Sequence, residues 1–293
     1  MSKYSPDLLA QFRDITTATL TTVLLKKGLR NVWIRGAFPL TPGQPRVAGP
    51  AFTLRFIPAR EDLATPASWS SPISTRSAIE AMPDGCIAVI AADGCQDAGV
   101  FGDILCQRMQ VRSVAAMITD GVVRDLEGVL GTGLPVWSSG AAAPPSVAGL
   151  TFVNWQEPIG CGGVAIYPDD LIVADKDGAV IVPQAMVDEV LPLAQEQENL
   201  EAWILNEVKN GAKLPGLYPA NEENKRRYEA HKAGQVTCAP KRPIHRPPRA
   251  QSISWPVMRS PARSMSLFWK MASPIAMPSF TRMCVKQLPI CAA

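Results

Sequence analysis

The stretch Phe101–Glu127, FGDILCQRMQVRSVAAMITDGVVRDLE, decides how this chain folds. A Gly-Asp pair opens a short amphipathic segment, which predicts a helix, and the apolar run Val114–Ile118 follows it. Because that run is short and bounded by a turn, it predicts a buried strand. Thr119–Gly121 has turn chemistry at the carboxyl end of the strand. This succession indicates an α/β fold.

The same stretch predicts a binding site. Asp103 opens the predicted helix, whose first amides, at Ile104 and Leu105, would point at an anion. Arg124 and Asp125 follow the strand, at the edge where ligands bind in open α/β sheets. Arginine can hold a carboxylate with two hydrogen bonds, and aspartate offers oxygen to a hard cation such as Mg²⁺. The alternative interpretation is a surface ion pair at a helix start.

The residues around this stretch also alternate between helical and strand patterns. Ser5 and Pro6 begin a helix, and the apolar spacing continues it to Gly28. A long helix is predicted over Gln184–Asn210, ended by Gly211. The other predicted elements are a helix at Ile73–Met82 and strands at Val47–Ile57, Cys86–Ala92, Val164–Tyr167, Leu171–Ala174 and Ala179–Val182.

Absent residue types narrow the chemistry. No histidine precedes His231, so Ser-His and Cys-His catalysis lack a base in the body of the chain. No lysine lies between Lys27 and Lys176, which argues against a Schiff-base aldolase. The glycine-rich Gly160–Gly163 precedes a strand rather than a helix, so it predicts a tight turn instead of a phosphate loop. Carbanion chemistry would therefore have to be metal-assisted.

The location of the protein is predicted from what its sequence lacks. Residues 1–14 are polar and no apolar run approaches the roughly 18 residues of a membrane helix, so we expect no signal peptide and no membrane partner. The seven cysteines show no C-x-x-C spacing, which is typical of small core residues in a reducing cytoplasm and argues against zinc. We expect a cytoplasmic protein.

The charge divides the chain at its carboxyl-terminal part. From Ala230 onward there are ten Lys or Arg and no Asp or Glu, whereas residues 1–229 carry 19 basic and 26 acidic side chains. We predict a domain at residues 1–232 and a basic, Pro-rich tail at 233–293 that does not fold by itself. Three interpretations of the tail stay open: an arm for nucleic acid, which we favour least, a disordered extension, or the product of a frameshift.

The spacing of Gly102-Asp103 and Arg124-Asp125, with a strand between them, resembles a known family. This is the family of the regulator of ribonuclease activity A and the 4-hydroxy-4-methyl-2-oxoglutarate aldolases. Residues 159–183 resemble its later block of strands and turns, and the likeness covers roughly residues 5–232. The resemblance implies a compact mixed sheet with a β-sandwich-like core and flanking helices, the swivelling α/β/β type, assembled as a homotrimer or hexamer.

The resemblance also implies an activity: a metal-dependent lyase, or class II aldolase and decarboxylase. It would cleave a pyruvate-derived keto acid through an enolate and would also decarboxylate oxaloacetate. Arg124 and the turn from Gly102 to Leu105, with the amides of Ile104 and Leu105, would bind the substrate carboxylate. Asp125 would hold Mg²⁺ or Mn²⁺, and Asp103 would orient a water beside the cation.

Several alternatives remain at this stage. Family enzymes take an acidic residue from a neighbouring subunit, for which Glu198 and Glu201 are the candidates; both also suit a solvated helix face. The polar section at residues 51–80 is longer than in short family members, so an aldolase or dehydratase of a 2-keto-3-deoxy sugar acid is a second interpretation. A non-catalytic protein regulator of a ribonuclease is the third.

Overall fold

In the computed structural model the described residues are 3–237. The tail predicted at residues 233–293 lies, from residue 238 onward, outside the described residues, and its boundary stays a prediction. The helices are α1 Pro6–Asp14, α2 Thr17–Lys26, α3 Thr75–Ala81, α4 Asp103–Val111, α5 Leu126–Gly131, α6 Val187–Lys209 and α7 Glu222–Thr237. The strands are β1 Trp33–Ile34, β2 Phe38–Pro39, β3 Val47–Pro58, β4 Ile87–Ala91, β5 Ala116–Thr119, β6 Val136–Ser138, β7 Leu150–Trp155, β8 Ile159–Cys161, β9 Val164–Ile166, β10 Leu171–Asp175 and β11 Gly178–Val182. Short 3₁₀ turns lie at Pro66–Ser70, Ser146–Ala148 and Gln184–Met186.

A mixed sheet of nine strands organises these elements. Its order is β1-β11-β10-β3-β4-β5-β6-β2, with β7 paired to β3, and β8 and β9 form a separate hairpin. Strands β3, β4, β5 and β6 run parallel, so the carboxyl ends of the last three meet at one edge. The fold class expected from the sequence, α/β with a large mixed sheet and flanking helices, is confirmed.

Two apolar clusters cover the sheet. One joins α1, α2 and the start of α6 to the strands β10 and β11, and includes Phe12, Leu20 and Trp137. The other lies under α3, α4 and α5, and includes Phe101 and Met109. Within residues 3–237, no helix has both the length and the hydropathy that a membrane span requires.

The prediction of one continuous helix from Ser5 to Gly28 is wrong, because the segment forms two helices, α1 and α2. Ser5 caps α1 as expected, its side chain accepting from the amide of Leu8, but the chain is extended at Ile15 and a second helix begins after Thr16. Thr16 caps α2, and the carboxylate of Glu198 accepts hydrogen bonds from both its amide and its hydroxyl. A tertiary contact therefore breaks a helix that apolar spacing alone would continue.

The other predicted elements are present with shifted ends. The helix predicted over 73–82 is α3, and the long helix predicted over 184–210 is α6, preceded by a 3₁₀ turn. The strand predicted over 114–118 is β5, which begins two residues later and ends one residue later. Gly211 ends α6 with a φ of +91°, a conformation that costs glycine little. The glycine-rich segment at 160–163 is a tight turn between β8 and β9, as predicted.

Asp120, in the turn after β5, ties this sheet edge to the β8–β9 hairpin. Its side chain is buried, and its two carboxylate oxygens accept from the amides of Ala92, just past β4, and of Gly162, in the hairpin turn. The distances are 2.7 and 2.9 Å. Amides without an acceptor are costly when they are shielded from water. This carboxylate therefore joins the connections after β4 and β5 to the turn of the β8–β9 hairpin.

We expect Asp120→Ala to lower the free energy of unfolding by about 2–4 kcal/mol, since the buried amide of Ala92 and the half-buried amide of Gly162 would lose their acceptor. Urea denaturation followed by circular dichroism measures the change. Asp97→Ala is the control, because the exposed Asp97 side chain bonds to no described residue. Equal midpoints for the two variants would contradict a structural role for Asp120.

Candidate functional site

The loops that follow β4, β5 and β6 continue side by side beyond the sheet edge. Gly99 forms parallel bridges with Val122 and with Pro145, and Val123 forms one with Ala141. Backbone hydrogen bonds of 2.8 to 3.0 Å support this ladder, among them Val100 N to Val122 O and Val123 N to Gly140 O. The sheet thus extends three irregular strands into the region where ligands bind in α/β folds.

Two glycines allow these loops to approach closely. A Cβ at Gly99 would lie 2.5 Å from the backbone nitrogen of Arg124, and a Cβ at Gly102 would lie 2.8 Å from Asp125 Oδ2. Neither glycine has a positive φ, so both are needed for space rather than for backbone freedom. The close approach places the Arg-Asp pair directly over the start of α4.

Arg124 and Asp125 form an ion pair at this position. Arg124 Nε donates to Asp125 Oδ2 at 3.1 Å, and both side chains are about half-exposed. Hydrogen bonds to the described residues use only the Nε of this guanidinium, so its two terminal nitrogens can donate hydrogen bonds to a second anion. The backbone amide of Arg124 donates to Phe101 O, which fixes the position of the pair.

Asp125 has a strained backbone. Its φ of 50° and ψ of 51° put it in the left-handed region, which aspartate adopts more readily than most residues. It stands immediately before α5, yet its side chain makes no capping hydrogen bond and instead turns to Arg124. Strain of this kind is frequent at functional sites, where it keeps a side chain in a required direction.

The amino end of α4 lies beside the pair, as the sequence predicts. Gly102 precedes the helix, and Asp103 begins it, with the Asp103 carboxylate accepting from the amide of Ile104 at 2.7 Å. The Ile104 amide therefore already donates a hydrogen bond to the Asp103 side chain. The amide of Leu105 lies in the same first turn of the helix. Gly128 of α5 packs against Asp103, where a Cβ would come within 2.7 Å.

These residues line one cleft of about 360 Å³. Every predicted site residue of the Gly102–Leu105 turn and of the Arg124-Asp125 pair contributes to its wall. Five of the other lining residues come from segments outside the predicted site: Trp69 from the section before α3, Thr75 and Arg76 from the start of α3, and Pro145 and Ser146 from the loop after β6. Sequence reasoning indicated only that the section at residues 51–80 could reshape the entrance.

The carboxylates of the cleft suit a magnesium-type ion. Asp103 and Asp125 are the acidic residues that line it, and Mg²⁺ is commonly held by one or two carboxylates together with water and substrate oxygens. Cys106, on the buried face of α4, lies outside the cleft wall, and burial raises the pKa of its thiol to about 12. Within residues 3–237 no cluster of three or more His, Cys, Asp or Glu could hold a metal by itself. The donor set therefore fits a cation shared between protein and substrate.

The two candidate intersubunit acids bond within their own chain. Glu198 accepts from the amide and hydroxyl of Thr16; burial opposes its ionisation, but these hydrogen bonds outweigh burial and lower its pKa. Glu201 accepts from Gln197 one turn earlier on α6. Both lie on α6, outside the cleft wall of this chain. A role for either across a subunit boundary stays a prediction.

The chain is similar to known proteins over most of its described residues. The sequence matches the family model described as RraA-like, Aldolase/RraA, over residues 16–181. A protein of Halalkalibacterium halodurans named "Putative 4-hydroxy-4-methyl-2-oxoglutarate aldolase" is 30% identical over 199 residues, which cover 68% of this chain and 87% of that protein.

Solved structures show the same fold. RraAS2 of Streptomyces coelicolor, described as an unusual member of the RNase ES inhibitor RraA protein family, has a TM-score of 0.62 at 31% identity, covering 69% of this chain and 98% of that one. An uncharacterized protein from Pseudomonas syringae pv. tomato has a TM-score of 0.64 at 26% identity, covering 74% and 95%. The family match spans more than half of the chain and includes the whole Gly102-Asp103 to Arg124-Asp125 unit, so the chain belongs to the RraA-like, Aldolase/RraA family.

Proposed function

We propose that this protein is a divalent-metal-dependent lyase that cleaves a pyruvate-derived keto acid, with 4-hydroxy-4-methyl-2-oxoglutarate as the model substrate and oxaloacetate decarboxylation as a second reaction. The observation that carries the proposal is the Arg124–Asp125 pair, fixed over the start of α4 in a cleft of about 360 Å³. The relative from Halalkalibacterium halodurans supports the reaction class through its name.

Arg124 would bind the carboxylate of the keto acid through its terminal nitrogens. A planar guanidinium matches a carboxylate with two parallel hydrogen bonds, and the first-turn amides of α4 add the positive end of a helix dipole. The substrate would thereby be oriented with its keto oxygen towards Asp125. This arrangement needs no histidine and no lysine, in agreement with the absence of histidine before His231 and of lysine between Lys27 and Lys176.

Asp125 would hold the cation, and Asp103 would orient a water that carries protons to and from the substrate. When bound, Mg²⁺ or Mn²⁺ supplies a Lewis acid that favours negative charge on the keto oxygen. As the C3–C4 bond breaks, its electron pair passes into the pyruvate enolate, and the proton of the C4 hydroxyl leaves to the water. Positive charge on Arg124 stabilises the enolate, which takes up a proton at C3 to give pyruvate.

An aldolase or dehydratase of a 2-keto-3-deoxy sugar acid is the second enzymatic possibility. The aldolase forms the same pyruvate enolate, whereas the dehydratase forms an enolate by loss of a C3 proton, after which the C4 hydroxyl leaves as water. Hydroxyl groups near the cleft support it: Ser68, Ser71 and Thr151 line a cavity of about 260 Å³ that shares Trp69 and Thr75 with the cleft. A panel of such acids assayed beside 4-hydroxy-4-methyl-2-oxoglutarate separates the two substrates by their kcat/KM.

A ribonuclease regulator is the non-catalytic alternative, and the description of the Streptomyces coelicolor structure supports it. Pyruvate release, measured with Mg²⁺ and again with EDTA, distinguishes the two classes. We expect turnover that EDTA abolishes and that Mg²⁺ or Mn²⁺ restores. Absence of metal-dependent turnover on every keto acid of the panel would favour the regulator.

We expect Arg124→Lys to lower kcat/KM for 4-hydroxy-4-methyl-2-oxoglutarate by about a hundredfold, because an ammonium cannot reproduce the planar fork of hydrogen bonds. Coupled detection of released pyruvate measures the loss. Arg108→Lys is the matched control, since Arg108 lies on α4 but outside the cleft wall and pairs with Glu80. Kinetics like those of the wild type in Arg124→Lys would remove Arg124 from the site.

We expect Asp125→Asn to lose metal-dependent turnover. Asparagine tolerates the left-handed backbone at this position, so the change removes the charge without adding strain. Activity titrated against Mg²⁺ and Mn²⁺ measures the effect, and Asp177→Asn, in an exposed turn between β10 and β11, is the control. An unchanged metal requirement in Asp125→Asn would contradict its assignment as a ligand.

A further inference from the structure

Arg76 is a second guanidinium in the cleft, and no described carboxylate pairs with it. Its Cζ lies 4.9 Å from the ring centre of Trp69, and one terminal nitrogen donates to the hydroxyl of Thr75 at 3.2 Å. Both neighbours line the cleft with it. The guanidinium plane is therefore held by an aromatic ring and a hydroxyl, neither of which neutralises its charge.

The surroundings of Arg76 favour an anion. Burial against its neighbours lowers the pKa of the guanidinium, although arginine still stays charged. The other arginine of the cleft wall, Arg124, already has Asp125 beside it. A positive charge with free donors and no paired acid gains from binding a carboxylate, more so than one that already has a neighbouring acid.

We propose that Arg76 binds an acidic group at the distal end of the substrate and so selects keto diacids over keto acids with a neutral end. The inference rests on the proposed function in one respect, namely that Arg124 holds the α-keto acid end. Two guanidiniums that line a single cleft then recognise the two ends of one molecule. Trp69 is the positioning residue, because its ring fixes the guanidinium of Arg76.

Binding of an isosteric pair of ligands tests the proposal without requiring turnover. 2-Oxoglutarate and 2-oxopentanoate have the same number of carbons and differ only in a terminal carboxylate or methyl group. Isothermal titration of the full chain with Mg²⁺ present should show 2-oxoglutarate binding about tenfold more tightly. Arg76→Gln should reduce the ratio of the two Kd values to about one while the Kd of 2-oxopentanoate stays unchanged.

Two further variants sharpen the test. Arg76→Lys keeps a cation and should recover part of the ratio. Arg60→Gln removes an arginine from the same long section, one that pairs with Asp62 and lies outside the cleft wall, so the ratio should stay at the wild-type value. Since the Arg76 side chain is exposed, its substitution should leave the thermal unfolding midpoint close to that of the wild type.

The outcomes separate this inference from the proposed function. The inference is overturned if Arg76→Gln leaves the ratio of the two Kd values unchanged, or if it weakens the binding of both ligands equally. It is also overturned if the wild-type protein binds neither ligand. If the wild type shows metal-dependent pyruvate release but the ratio does not respond, the inference alone is wrong. If the ratio falls as expected while the wild type lacks turnover, the distal acid site stands and the lyase function fails.

Discussion

The close packing of three loops beyond the carboxyl ends of β4, β5 and β6 is the constraint on which the site depends. Parallel bridges join Gly99 to Val122 and to Pro145, and they are possible only because Gly99 carries no side chain where the backbone of Arg124 passes. A residue with a Cβ at this position would push the segment before α5 away from the start of α4. The orientation of Arg124 and Asp125 is thus set by backbone packing, and their own charges act within it.

Elements whose signals are local in the sequence could be predicted well. The start of α1 has its own cap and proline, α4 has its Gly-Asp start, and the turn at Thr119–Gly121 has the residues that turns require. The break between α1 and α2 could not be predicted, because it depends on Glu198 from a helix more than 180 residues away. A contact between residues so far apart in the sequence does not change the spacing of apolar residues near Thr16.

The same distinction explains which part of the candidate site could be found. The start of α4 and the Arg124-Asp125 pair are joined by one helix–strand connection, so their proximity follows from the direction of a parallel strand. Trp69 comes from the long section between β3 and α3, whose path no turn or strand signal fixes, and Arg76 lies on the predicted helix α3, whose position over the cleft depends on that path. Neither residue could therefore be placed in the site from the sequence, although both line the cleft.

The charged groups of the described residues divide into those that the fold uses and those that it leaves incompletely satisfied. Asp120 and Glu198 each accept two hydrogen bonds from the chain itself, so the fold uses both carboxylates. Arg124, Asp125 and Arg76 are held in place by a backbone bond, a strained dihedral and an aromatic ring. Arg124 and Asp125 share one hydrogen bond, which leaves further donors and acceptors on both, and Arg76 has no carboxylate partner among the described residues. Fixed but unsatisfied charge is what a binding site requires, since a ligand then meets groups that need no reorganisation. This criterion supports the proposal that substrate binds in the cleft rather than at the charged surface of α7.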